Sequence, residues 1–241
     1  MKLVNLAHME VAKLWYLEQF NLSKMMKKDD KMRLADSLVM ESFHKNGKIV
    51  FPENTNKNIY FLKKGVVKIG KITETGDIDF QYLLKEGTIF GEMALAEGEN
   101  PNMIATAVED SVICHIDVST MRVMMESNHY LNLAVMKLMG LRLKKIERRL
   151  ENILFKDSRT RIIEFLLDFM HEFGENKKDN ETIEARNFLS NKDIAVLTAT
   201  SRQTVNSTLN ELKKTGNIEF NNKIISMTMK QEKDLLKQIS N

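Results

Sequence analysis

The chain holds a single cysteine, Cys114, among its 241 residues. One thiol excludes an internal disulfide framework, and it excludes any four-cysteine zinc or iron–sulfur site supplied by one subunit. Cys114 alternates with Val112 and Ile116, so a buried strand position is expected for it. Long apolar runs are missing as well, and no stretch is long enough to cross a bilayer. The opening residues Met1 to Phe20 are interrupted by His8, Glu10, Lys13 and Glu18, unlike the unbroken apolar core of a secretory signal. A cytoplasmic protein with no membrane partner is expected. Catalytic signatures are also lacking: there is no Ser-His-Asp pattern, no H-E-x-x-H, no P-loop and no cluster of carboxylates. No enzyme is expected. Metal and cofactor ligation motifs are absent too, and the isolated His44, His115 and His129 are expected to be structural or surface residues rather than haem ligands.

What is present divides into three kinds of text. At this length about two domains of ordinary size fit, each with its own core. Between Lys45 and Asp117, glycines at 47, 65, 70, 76, 87, 91 and 98 punctuate short runs rich in Val, Ile, Phe and Tyr. That spacing predicts an antiparallel barrel or roll. Its clearest strands are Ile59 to Leu62, Val66 to Ile69, Phe80 to Leu83 and Val112 to Ile116. Before them, Val11 to Phe43 reads as helices. After them, Tyr130 to Ile153 contains no proline and only one glycine, Gly140, and reads as one long helix. Met136, Leu143 and Leu150 recur every seven residues, and Met139, Ile146 and Ile153 do the same at an offset of three. Such an a/d seam predicts a coiled-coil-like pairing of two copies, with a helix lying against its own domain as the other reading.

The C-terminal part carries the most specific pattern. Ser190 can cap a helix opening at Asn191, and Ser201 can cap a second helix opening at Arg202, with Thr198-Ala199-Thr200 as the turn between them. Val205, Leu209 and Leu212 fall at i, i+4 and i+7, an apolar stripe that must pack inward. Arg202, Gln203, Asn206, Ser207 and Asn210 are thereby left facing outward. Planar and small polar side chains in a row suit base edges, because Arg pairs in bidentate fashion with guanine, and Gln or Asn with adenine. Lys213 to Gly216 end the helix with basic residues and a glycine. Two extended runs, Asn217 to Phe220 and Lys223 to Met227, then flank Asn221-Asn222, which reads as a hairpin wing. Helix, helix and hairpin make a winged helix-turn-helix, with duplex DNA as the expected ligand.

Net charge is only +3, so affinity for DNA has to come from local clusters. Leu141 to Arg161 holds eight basic residues against three acidic ones. Some of these are candidates to flank DNA, and a solvated helix face is the alternative. Ser190, Ser201, Thr204 and Lys213 are candidates for phosphate contacts, which set register without reading sequence.

Along nearly its whole length the chain resembles the cyclic-AMP receptor protein and fumarate-nitrate regulator (CRP/FNR) family of bacterial transcription regulators. The resemblance rests on Tyr60 to Lys68 for the roll, Gly87-Thr88-Ile89-Phe90-Gly91-Glu92 for the effector loop, and Ser201-Arg202-Gln203-Thr204-Val205 for the recognition helix. It implies an α+β protein in three parts. Residues 1–127 would be a cyclic-nucleotide-binding-like β-roll (jelly roll) with flanking helices, 128–157 a dimerisation helix and hinge, and 158–241 a winged helix-turn-helix. Phe155-Lys156-Asp157 would be the hinge. It implies a homodimer joined through Met136, Met139, Leu143, Ile146, Leu150 and Ile153, a palindromic operator in double-stranded DNA, and RNA polymerase as a further partner. Arg202, Gln203, Asn206 and Ser207 would read bases.

Departures from the family limit what carries over. An effector pocket would draw on Gly91, Glu92, Met93, Asn102, Met103 and Ile146. In relatives that bind cyclic AMP, an Arg-Ser pair grips the cyclic phosphate, but here the corresponding stretch is Pro101-Asn102-Met103-Ile104, and no arginine occurs between Arg33 and Arg122. A desolvated phosphate needs charge-assisted, preferably bidentate, hydrogen bonds. The Thr-Ser pair that meets adenine is replaced by Ile146-Glu147. The expectation is therefore no response to cyclic AMP, with another small molecule or no effector in its place. A ligand-binding signalling or scaffold protein whose winged helix does not read DNA is the competing class.

Overall fold

The computed structural model describes residues 27–50, 58–76, 78–96, 102–177, 181–221 and 223–239. Its first element, helix α1 (Lys28–Ser37), buries Leu34 and Ala35 and stops at an extended Leu38. Val39–Phe43 then forms strand β1, which corrects the expectation of helix through Phe43; residues 11–26 of that expectation lie outside the described residues. The cause is a partner: every residue of β1 pairs antiparallel with β8 (Ser111–Asp117), from Val39 opposite His115 to Phe43 opposite Ser111. A complete ladder outweighs the local helical periodicity.

Between them run β2 (Lys48–Val50), β3 (Asn58–Lys64), β4 (Val66–Ile72), β5 (Ile78–Lys85), β6 (Ile89–Phe90), a 3₁₀ turn (Glu92–Ala96) and β7 (Met103–Ala107). They make two four-stranded antiparallel sheets, ordered β1-β8-β3-β6 and β2-β7-β4-β5. Strand β3 feeds two cores, because alternate side chains leave opposite faces of a sheet. Ile59 and Phe61 join a cluster with the helices, whereas Tyr60 and Leu62 join Val67, Ile69 and Phe90 in a second cluster. The Tyr60 and Phe90 rings stack there at 4.9 Å. Strand β8 divides in the same way, with Cys114 and Ile116 in the first cluster and Ile113 in the second. Cys114 is buried, as its alternation predicts. Gly98 and Pro101, both part of the sequence reading, lie outside the described residues.

Asp117 caps helix α2 (Val118–Ser127), accepting the Ser119 N–H at 2.8 Å. Helix α3 (His129–Phe155) follows. Its first turns bury Leu131, Ala134 and Val135 against the roll. Farther on, Met136, Leu143, Ile146, Leu150 and Ile153 are exposed, and Met139 is half-buried. The chain forms two compact units that divide within this helix, one extending to Lys144 and the other running from Lys145.

In the second unit Asp157 caps helix α4 (Ser158–Phe173), which buries Ile162, Ile163, Leu166, Leu167, Phe169 and Met170 along one side. Strands β9 (Gly174–Asn176) and β10 (Thr182–Arg186) come next, then helices α5 (Asn191–Thr198) and α6 (Arg202–Lys214). Strands β11 (Glu219–Phe220) and β12 (Ile224–Thr228) and helix α7 (Met229–Ile239) complete it. The four strands form one sheet ordered β11-β12-β10-β9. The wing is shorter than its sequence suggests. Asn217 and Ile218 do not pair as strand, because their N–H groups both turn back to the Leu212 carbonyl at the end of α6, at 2.8 and 3.4 Å. Asn222, half of the expected turn pair, lies outside the described residues, but Asn221 Oδ1 accepts the N–H groups of Lys223 and Ile224, both at 2.8 Å.

Candidate nucleic-acid interface

Two short helices are held by different caps. Ser190 and Asp193 form a reciprocal capping box at the start of α5: Ser190 Oγ accepts the Asp193 N–H at 3.2 Å, and Asp193 Oδ2 accepts the Ser190 N–H at 2.9 Å. Such a box satisfies two otherwise free N–H groups. Ser201 Oγ caps α6 by accepting the Thr204 N–H at 3.0 Å. The turn between them places Ala199 at φ 50°, ψ 49°, a left-handed conformation that costs a non-glycine residue about 1 kcal/mol. Thr198 and Thr200 brace it: Thr198 Oγ1 donates to the Ile194 carbonyl at 2.7 Å, and the Thr200 N–H bonds to Ala195 O at 2.9 Å.

Helix α6 has the two faces its spacing predicts. Val205, Thr208, Leu209 and Leu212 are buried. Arg202, Gln203, Asn206, Ser207 and Asn210 are exposed. A surface groove of about 430 Å³ is lined by Asn191, Arg202, Gln203 and Asn206, so three of the four expected base readers meet in one concavity. Ser207 is exposed on the same helix. Of the expected phosphate ligands, Ser190, Ser201 and Lys213 are exposed and Thr204 is half-buried. The three hydroxyls also serve the local caps: Ser190 Oγ lies 2.8 Å from Asp193 Oδ2, and Ser201 Oγ lies 2.8 Å from Thr204 Oγ1.

The basic cluster from Leu141 to Arg161 is mostly occupied inside the molecule. Arg148 pairs with Asp168 at 3.0 Å, Lys156 with Glu164 at 2.5 Å, and Arg159 with Glu211 at 3.2 Å. Lys145 reaches Glu172 at 3.5 Å, and Arg149 donates to the Val196 carbonyl at 3.2 Å. Burial pulls the Arg149 guanidinium below its usual range. Most of this cluster therefore braces the protein, which the sequence reading did not separate from a DNA-facing role.

In the roll, Gly91 adopts φ +81°, and an added Cβ would stand 2.7 Å from the Asn58 carbonyl. Glycine is required there. Glu92 follows it and is only 2% exposed. Its Oε1 is paired with Arg142, whose second nitrogen donates to the Ile89 carbonyl at 2.5 Å. Burial lowers the Arg142 pKa, against an opposing hydrogen bond and charge effect from Tyr82. Arg142 stands in the basic run from Leu141 to Arg161, and nothing in linear sequence joins residue 142 to residue 92. Of the other pocket candidates, Met103 is buried, Met93 and Asn102 are exposed, and Ile146 is exposed on α3 beyond Lys144.

A β-roll followed by a long helix and a winged helix-turn-helix defines a class: transcription regulators that join an effector-type domain to a DNA reader. Comparison with known proteins agrees. The family described as cyclic nucleotide-binding domain matches residues 40–128, and the Crp-like helix-turn-helix domain matches residues 160–235. The chain thus carries both domains of CRP/FNR-type transcription regulators. It is 27% identical over 191 residues to the global nitrogen regulator of Nostoc, covering 78% of this chain and 85% of that one. It is 27% identical over 172 residues to the anaerobic regulatory protein of Bacillus subtilis, covering 70% and 71%. Its fold is similar to FixK2 from Bradyrhizobium japonicum, with a TM-score of 0.68 at 17% identity, covering 83% of this chain and 96% of that one. Among the described residues no helix is long and apolar enough to cross a membrane.

Proposed function

We propose that this regulator works as a cytoplasmic homodimer that reads a palindromic operator in double-stranded DNA and does not respond to cyclic AMP. The observation that carries the DNA reading is the groove formed by Asn191, Arg202, Gln203 and Asn206 on a helix anchored by Val205, Leu209 and Leu212. Recognition helices of this type enter the major groove through their N-terminal residues, and Arg202 opens α6. Exposed Met136, Leu143, Ile146, Leu150 and Ile153 supply an apolar seam for a second copy. A two-fold dimer sets two recognition helices one DNA turn apart, which is why its operator is palindromic. RNA polymerase is the further partner that this reading implies.

The effector reading rests on what faces Glu92. One relative, from Mycobacterium tuberculosis, is described as a CRP-like cAMP-activated global transcriptional regulator and is 23% identical over 180 residues. Its ligand does not carry over, because Asn102-Met103-Ile104 offers no guanidinium for a cyclic phosphate and Ile146 can only pack. The Glu92 carboxylate is already paired with Arg142 of the same chain. Another small molecule in the roll, or none, fits better.

Three measurements test this. Sedimentation should give a dimer, and a gel shift with genomic fragments should show a discrete complex; a monomer indifferent to every fragment would instead favour a scaffold. Calorimetry with cyclic AMP and cyclic GMP should show no binding, and micromolar affinity for either would overturn the effector reading.

A further inference from the structure

The Asn191 side chain at the start of α5 donates from Nδ2 to Oδ1 of Asn206 on α6, at 2.9 Å. Both residues line the groove together with Arg202 and Gln203. A carboxamide offers an acceptor oxygen and two N–H donors, and its recognition of adenine uses both, the oxygen accepting from N6 while the nitrogen donates to N7. In Asn206 the oxygen is turned toward α5 and held there. One of that oxygen's two lone pairs is thereby engaged, and the amide N–H groups are left for a base.

From this we infer that Asn191 is a specificity-determining positioning residue: it fixes Asn206 as a one-sided donor and so sets which base that residue accepts. The inference rests on the DNA reading proposed above and deepens it. A donor-only Asn206 suits an acceptor-bearing base edge, guanine O6 and N7, thymine O4 or, by a single bond, adenine N7, and rejects cytosine, which presents its N4 donor in the major groove. It also forgoes the two-point pairing with adenine that an unrestrained asparagine favours. Asn191 need not touch DNA for this. It acts through the orientation of its neighbour, and its own position is set by the Ser190–Asp193 capping box on which α5 is built.

The test is selection from random duplex DNA with the full-length chain and three variants, Asn191→Ala, Asn206→Ala and the double substitution. The base pair read by Asn206 is the one whose preference disappears in Asn206→Ala. Asn191→Ala should gain adenine there by at least about fivefold, the low end of what a bidentate contact discriminates, with other positions unchanged. The double variant should match Asn206→Ala. A change of preference in Asn191→Ala at a pair that Asn206→Ala leaves untouched would overturn the assignment. So would an Asn191→Ala variant that binds all sequences more weakly with the same preferences, or an Asn206→Ala variant that alters no position. Thermal unfolding of each variant separates a local change from a loss of fold. If the unsubstituted chain selects no motif at all, the DNA reading fails and this assignment falls with it, whereas a selected motif with unchanged preferences defeats this assignment alone.

Discussion

Arg161 Nε donates to the Thr198 carbonyl at 2.8 Å, and the same guanidinium reaches the Ala199 carbonyl at 3.0 Å and the Lys156 carbonyl at 2.6 Å. One planar cation thus ties the segment after α3 to the turn that precedes the recognition helix. Its fork geometry suits three fixed acceptors in a way a lysine does not.

Removing it should disturb the turn before it disturbs the bases. Arg161→Ala leaves the carbonyl of buried Thr198 without this donor, at a cost of about 1–3 kcal/mol. Ala199 would lose a restraint on a left-handed conformation that already carries strain. DNA affinity should fall by a similar factor for all sequences, with base preferences retained. Ala199→Gly should restore part of the loss, since glycine adopts that conformation freely. Calorimetric unfolding and titration of one operator against a scrambled one check both expectations. Equal loss in the presence and absence of Ala199→Gly would contradict the role given to the turn.

Arg202 and Lys213 stand at opposite ends of α6, both exposed, and their substitutions should be separable. Arg202→Ala should relax selection at one base pair by about 1–3 kcal/mol. Lys213→Ala should weaken all duplexes about equally and reduce the salt slope by about one. Binding curves for matched and mismatched duplexes at several salt concentrations distinguish these outcomes.

Much of this architecture was legible in sequence because it rests on local signals. The α6 stripe, the caps at Ser190 and Ser201 and the alternation around Cys114 each follow from spacing of two to seven residues. The features that were not legible depend on distant partners. Val39–Phe43 is a strand because Ser111–Asp117 lies beside it. Strands β9 and β10 are short, and they join a sheet because β10 pairs with β12. The pairings of Arg142 with Glu92 and of Arg161 with the turn span 50 and 37–38 residues, and a run of basic residues looks the same whether it faces phosphate or its own chain. Asn191 carried no signal beyond that of an ordinary first-turn residue.

The cap of α4 should make part of the second unit's stability depend on pH. Hydrogen bonding from the Thr160 N–H, at 2.8 Å, holds the Asp157 carboxyl below the usual carboxylate range. A lowered folded-state pKa contributes stability that is present above the unfolded value, about 3.9, and is lost as pH falls through the folded value. Asp157→Asn keeps a capping oxygen but removes that titration, so its difference from the unsubstituted chain should shrink toward the acid end. Asp157→Ala should cost about 0.5–2 kcal/mol near neutrality. Denaturant midpoints measured from neutral pH into acid for the three proteins decide this. A difference between wild type and Asp157→Asn that stays constant with pH would remove the charge from the explanation.

Glu92 and Arg142 should behave as one unit. Glu92 is 2% exposed, its Oε2 is buried without a hydrogen-bond partner, and its Oε1 depends on Arg142. Breaking a buried pair by deleting one member costs about 3–5 kcal/mol, chiefly because the other charge stays buried and uncompensated. Arg142→Met should therefore destabilise the first unit strongly, while Arg142→Met combined with Glu92→Gln should recover most of the loss, since no charge is then left behind. A coupling energy above about 1 kcal/mol in this double-mutant cycle is the expected result. The same cycle bears on the effector: if the pair already satisfies Glu92, adding cyclic AMP should leave the unfolding temperature of all four proteins unchanged. A rise confined to Arg142→Met would mean that this arginine shields a carboxylate still able to take part in nucleotide binding.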